Sequence, residues 1–134
     1  MLILLIINLQ VTSFINTVQK ACQEASNGKL EAKIVQDKEF NDGISDKIKA
    51  EIRTSKAVIA DYTYENQGVY FEAGYADGLG IPLIRFCEEK WALNKKGSIE
   101  NAVHFDERHN NLIVWKSFPD LEERLKNRIR NILL

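Results

Sequence analysis

Two carboxylates eleven positions apart, Asp61 and Glu72, are the residues of this chain best placed to do chemistry. Asp61 closes the apolar run Ala57-Val58-Ile59-Ala60, and Glu72 falls in the first turn of a helix expected to start at Val69. In an open α/β sheet, the end of a strand and the start of the next helix border the crevice at the carboxyl ends of the strands, where ligands bind. A carboxylate in a helix's first turn is held ionised by the positive end of the helix dipole, by about 0.3–1 kcal/mol. In that form Glu72 can attack an electrophilic sugar carbon or stabilise an oxocarbenium-like transition state by its charge. Asp61 can accept hydrogen bonds from ligand hydroxyls or from loop N–H groups. Each also has a plainer reading: an acid that only stabilises its helix, and an Asx turn.

The residues between them add polar and aromatic groups. The rings of Tyr62, Tyr64, Tyr70 and Tyr75 can stack on a base or orient a carboxylate, or can belong to the core. Asn66 is a cap candidate, and Gly68 permits close approach to the helix start. Two further segments qualify as site borders. The loop Asn8-Leu-Gln-Val-Thr-Ser13 opens a helix whose N–H groups can receive a phosphate, with Asn8 as its substrate-binding candidate. It has no glycine-rich fingerprint, and Thr12 or Ser13 as a simple N-cap is the alternative. The cluster His104-Phe105-Asp106 with Arg108-His109 fits no zinc spacing. His104 is therefore assigned to a polar site border, with a solvated loop as the alternative. No metal and no cofactor is expected.

These side chains need elements to hold them, and the pattern of apolar residues supplies a set. Leu2–Ile7 is a continuous apolar run of the kind that forms a strand covered on both faces. Val11–Ala25 has helical spacing and ends at Asn27-Gly28. Leu30–Val35 reads as a second strand, and Ile44, Ile48 and Ile52 stripe a second helix. Ala57–Ala60 is a third strand, Val69–Leu79 a third helix, and Leu83–Phe86 a fourth strand after Gly80 and Pro82. Gly74 and Gly78 inside the third helix suggest close backbone approach, because glycine costs a helix up to about 1 kcal/mol. Glu88–Asn110 has no sustained period. Leu112–Trp115 reads as a fifth strand, and a last helix opens at Phe118-Pro119-Asp120 with the stripe Leu121, Leu125, Ile129 and Ile132. Alternation of this kind implies an α/β fold: one domain over residues 1–134, a doubly wound five-stranded parallel sheet in the flavodoxin-like order 2-1-3-4-5.

Composition narrows the partners. The 134 residues are 45% hydrophobic and 28% charged with a net charge of -1, an ordinary globular balance. No basic stripe is visible, so no nucleic-acid partner is expected. The apolar start lacks a basic flank and a cleavage site and is too short to span a bilayer, so a strand is expected there and no membrane partner. Two cysteines, Cys22 and Cys87, stand far apart in no metal spacing, which suits a reduced, cytoplasmic setting.

Ser55-Lys-Ala-Val-Ile-Ala-Asp61, Asn66-Gln-Gly-Val-Tyr-Phe-Glu-Ala-Gly-Tyr-Ala76 and Gly80-Ile-Pro-Leu-Ile84 together resemble the nucleoside 2-deoxyribosyltransferase group. Its relatives include deoxynucleotide N-hydrolases and TIR-like domains. The resemblance is strongest over Ile44–Phe86. It implies that Glu72 is the nucleophile on the anomeric carbon, that Asp61 binds sugar hydroxyls, and that Asn66 assists near the base. It implies cleavage or transfer at the N-glycosidic bond of a nucleoside or nucleotide, and a homo-oligomer. The loop after the first strand departs from the group's pattern, which carries a tyrosine and small residues there. A TIR-like NAD glycohydrolase and a non-catalytic nucleotide sensor are the alternative readings.

Overall fold

The computed structural model describes residues 2–6, 12–35, 46–63, 67–92 and 112–134. Asn8, Asn66 and His104 lie outside the described residues. The chain alternates strands and helices: β1 (Leu2–Ile6), α1 (Thr12–Ala25), β2 (Glu31–Val35), α2 (Asp46–Thr54), β3 (Ala57–Asp61), α3 (Gln67–Gly78), β4 (Leu83–Glu88), a short α4 (Glu89–Ala92), β5 (Ile113–Trp115) and α5 (Phe118–Leu133). The architecture is mixed α/β around a parallel sheet. Among the described residues the strands neighbour one another in the order β2-β1-β3-β4-β5, and each neighbouring pair is parallel.

Every residue of β3 is buried because both faces of the sheet are covered. Strand alternation sends Ala57 and Ile59, with Ile84 and Phe86 of β4, into a core against Phe14, Val18 and Cys22 of α1 and Leu121, Leu125 and Ile129 of α5. It sends Val58 and Ala60, with Cys87, into a second core against Ile48 and Ile52 of α2 and Val69, Ala73 and Ala76 of α3. On the first face Phe14 packs on Phe86 and Trp115, with ring centroids 5.2 and 5.8 Å away. Surface ion pairs join elements at the edges: Lys33 meets Glu51 at 2.7 Å, and Lys126 meets Glu24 at 3.1 Å.

Local signals set the helix ends. α1 stops where Asn27 (φ 52°) and Gly28 (φ 79°) turn left-handed, and the Gly28 N–H donates back to the Gln23 carbonyl at 2.8 Å. α3 stops the same way: Gly80 at φ 75° lets its N–H reach the Asp77 carbonyl and the Ile81 N–H reach the Ala76 carbonyl, both at 3.0 Å. A side chain at that φ costs about 1–2 kcal/mol. Gly80→Ala is expected to lower stability by about that amount, read as a lower urea midpoint. α5 starts at Ser117, whose hydroxyl accepts the Asp120 N–H, while Asp120 reaches back to the Lys116 N–H at 2.9 Å.

Four expectations are corrected. α3 begins at Gln67 rather than Val69; Val69 is where its apolar stripe becomes visible in the sequence, and a first turn needs no apolar side chain. Glu72 therefore sits in the second turn, beyond the reach of the dipole effect proposed for it. Gly74 and Gly78 do not mark close approach: both are exposed, with no atom within 4 Å of where a Cβ would stand. The small residues that α3 packs are Ala73 and Ala76. Gly74→Ala is accordingly expected to stabilise the fold by about 0.5–1 kcal/mol, measured by urea denaturation. Ile132 is 44% exposed, since Leu133, four residues after Ile129, takes the packing position. The fourth strand extends past Phe86 to Glu88, which brings a third carboxylate to the rim of the sheet. Among the described residues no helix is long and apolar enough to cross a membrane.

Candidate functional site

Asp61 is the last residue of β3, a central strand, and so stands at the carboxyl rim of the sheet. It is 4% exposed. The backbone turns immediately beyond it, and its Oδ1 accepts the Thr63 N–H at 2.9 Å. This is the Asx turn that the sequence allowed, built at the position where ligands approach such sheets. Thr63 is itself buried, and its Oγ1 accepts the Glu88 N–H at 3.0 Å. The turn after β3 is thereby tied to the end of β4, next to the backbone bond from Tyr62 N–H to the Phe86 carbonyl.

The electrostatics of Asp61 follow from this setting. Burial disfavours the charged form and pushes its carboxyl from 3.8 up to about 7. The two hydrogen bonds from Thr63 pull the other way, and the nearby Glu88 carboxylate adds to the rise. A carboxyl with this affinity holds or releases a proton near neutral pH, which is what a general acid or base needs.

Glu72 is also 4% exposed. It shares the inner face of α3 with Val69, Ala73 and Ala76, at the i, i+3, i+4, i+7 spacing of one helical stripe. α3 descends from the carboxyl rim, so five residues place Glu72 about 7.5 Å below the helix start. Helical side chains lean in general toward the helix N-terminus, which for α3 is the direction of the rim. The two acids leave the β3–α3 unit differently: alternation groups Asp61 with Ala57 and Ile59 on the α1 and α5 side, whereas Glu72 belongs to the α2 and α3 side.

Of the other sequence candidates, Gly68 is the second residue of α3 and half-buried. Tyr62 is corrected from a ligand-facing to a core position. It is fully buried, its ring lies 4.5 Å from that of Tyr70, and its hydroxyl accepts the Arg85 Nε–H at 3.2 Å. With both faces packed, it has no surface left on which a base could stack. Tyr75 is bound to Arg53 at 2.8 Å, joining α2 to α3.

Three residues at or near this end of the sheet were not singled out from the sequence. The position of Thr63 was legible in principle, because the residue two after a strand-end aspartate supplies the N–H of an Asx turn. Arg85 was legible as an anomaly, a cation inside the apolar strand Leu83–Glu88; it is buried and lies 3.9 Å from Asp77. Glu88 was not legible, since its approach to Asp61 depends on how β3 pairs with β4. A surface groove of about 310 Å³ lined by Gln19, Gln23, Gly28, Leu30, Glu31 and Ala32 lies at the start of β2, at the opposite rim from Asp61. Among the described residues no three acids, histidines or cysteines gather as metal ligands.

No protein-family model matches the chain, and no curated protein is significantly similar to it.

Proposed function

We propose that this protein cleaves or transfers at the N-glycosidic bond of a nucleoside or nucleotide, with Glu72 as nucleophile and Asp61 as the proton donor to the leaving base. The observation that carries the reading is the state of Asp61: a buried carboxyl at the carboxyl rim of a central strand, with its proton affinity raised to about neutral. In this scheme the two acids, which start from opposite faces of the sheet, reach one sugar from either side of the rim: the Glu72 carboxylate attacks the anomeric carbon as the carbon–nitrogen bond breaks, and the base departs with the Asp61 proton. Water or a second base then attacks the glycosyl ester and returns a proton to Asp61. Two carboxyls with opposite tasks need environments that separate their protonation. Burial with an acidic neighbour supplies that for Asp61.

The resemblance of Ser55–Ile84 to the 2-deoxyribosyltransferase group supports the bond cleaved and the part of Glu72; for Asp61 it implies binding of sugar hydroxyls, and the proton-donor role rests on the burial of its carboxyl. The strand order supports reading the domain as a flavodoxin-like doubly wound sheet, a frame that binds ligands at this rim. A homo-oligomer belongs to the reading through that resemblance, and two buried cysteines outside any disulfide support a reducing, cytoplasmic setting. The test is incubation with a panel of nucleosides, deoxynucleosides and their monophosphates, with and without a second free base, plus NAD. Released base, or a new nucleoside, is the expected product. Nicotinamide release from NAD alone would move the protein to the TIR-like reading. Stabilisation by a nucleotide with no product at high enzyme and long times would replace catalysis by sensing.

A further inference from the structure

We propose that Thr63 is the positioning residue of this site: held between the ends of two neighbouring strands, it orients the Asp61 carboxyl and sets how readily that carboxyl gives up its proton. The inference deepens the reading of Asp61 as proton donor and rests on it. Thr63 is buried, and a hydroxyl has one hydrogen to give. Its oxygen is engaged by the Glu88 N–H at 3.0 Å, and its own N–H goes to Asp61 Oδ1 at 2.9 Å. Its side chain also bonds the Asp61 carboxyl. One residue thus addresses the carboxyl twice, with its orientation locked by the backbone of β4. Both bonds favour the carboxylate and oppose the effect of burial.

Among the described residues the charged neighbours leave Glu88 as the counterweight. β1 carries no charged side chain, and α1 carries none before Lys20. α5 opens with Asp120, which is bound to Lys116 and Arg124. β4 contributes Arg85 and Glu88, and α3 contributes Glu72 and Asp77. Of these, Glu88 acts on Asp61, and it raises the affinity for the proton. Thr63 and Glu88 therefore pull the same carboxyl in opposite directions from the two strands that meet at the rim.

The experiment is a carbon-13 NMR titration of the Asp61 carboxyl in the full chain and in Thr63→Val, Thr63→Ala, Thr63→Ser and Glu88→Gln. Loss of the hydroxyl in Thr63→Val or Thr63→Ala is expected to move the midpoint up by about 0.5–1 pH unit, the worth of one hydrogen bond. Thr63→Ser should restore the original midpoint, and Glu88→Gln should move it down. A purely structural threonine would give the same midpoint in every folded Thr63 variant, and that result overturns the inference. Thr63→Ala keeps the test in force if the bulkier valine prevents folding. Base release is measured on the same proteins. Midpoints that shift as expected without turnover on any substrate would remove the glycosidic reading and leave the positioning role; turnover that depends on Glu72 with unmoved midpoints would do the reverse.

Discussion

Glu72→Gln is expected to slow base release by about 10³-fold or more, because a neutral amide cannot form the glycosyl ester and no other residue is assigned to do so. The substitution keeps size and shape at a position only 4% exposed, so the fold should survive. The measurement pairs initial rates of base release with a thermal melt of both proteins. A melting point within a few degrees of the parent with turnover gone is the expected pattern. Turnover near the parental level would exclude Glu72 as nucleophile. The effect does not depend on the helix dipole, since Glu72 lies in the second turn of α3. What recommends it is its buried placement on the inner face of the helix.

Asp61→Asn is expected to change stability in a way that depends on pH. Below about pH 3.8 the carboxyl is protonated in both folded and unfolded chains. Between that value and about 7 the folded chain keeps the proton and the unfolded chain releases it. Folding binds a proton in this window, so the parent loses stability as pH rises and levels off above about 7. The full loss is on the order of 4 kcal/mol, from about 1.4 kcal/mol per pH unit. Urea midpoints of the parent should therefore be higher at pH 5 than at pH 8. Asparagine has no charge to bury and can still accept the Thr63 N–H, so the variant should show little of this slope and be the more stable protein at pH 8. Parallel slopes for the two proteins would show that Asp61 is not the buried acid described. The same titration bears on activity. Turnover of the parent should fall as pH rises past about 7, when the proton donor is lost, and the variant should lack both the rate and that limb of the profile.

Much of the frame was legible from the chain. Apolar runs such as Ala57–Ala60 announced strands buried on both sides, because a strand with no polar alternation has no face to offer water. The stripe Leu121, Leu125, Ile129 announced an amphipathic helix, and Gly28 and Gly80 announced helix ends, since few other residues accept a left-handed backbone. Errors fell where a signal had two physical causes. Glycines in α3 suggested a tight contact, but exposed helix positions tolerate glycine as well, at a cost in stability. Val69 looked like the start of a helix because burial, not backbone geometry, makes apolar residues visible in a sequence.

The site divides in the same way. The types and order of Asp61, Thr63 and Glu72 were present in the sequence, and the strand–turn–helix around them follows from local preferences. Whether an aspartate at a strand end is an ordinary turn residue or a proton donor is not a local property. It depends on how much water is removed from the carboxyl and which charge stands beside it. Both came from the packing of β3 against its neighbours, which buried Asp61 and brought Glu88 from twenty-seven residues away to the same rim. Local propensity acts over a few residues, whereas desolvation and charge act through space, so only the tertiary structure could set the proton affinity of a carboxylate that the sequence had already put in place.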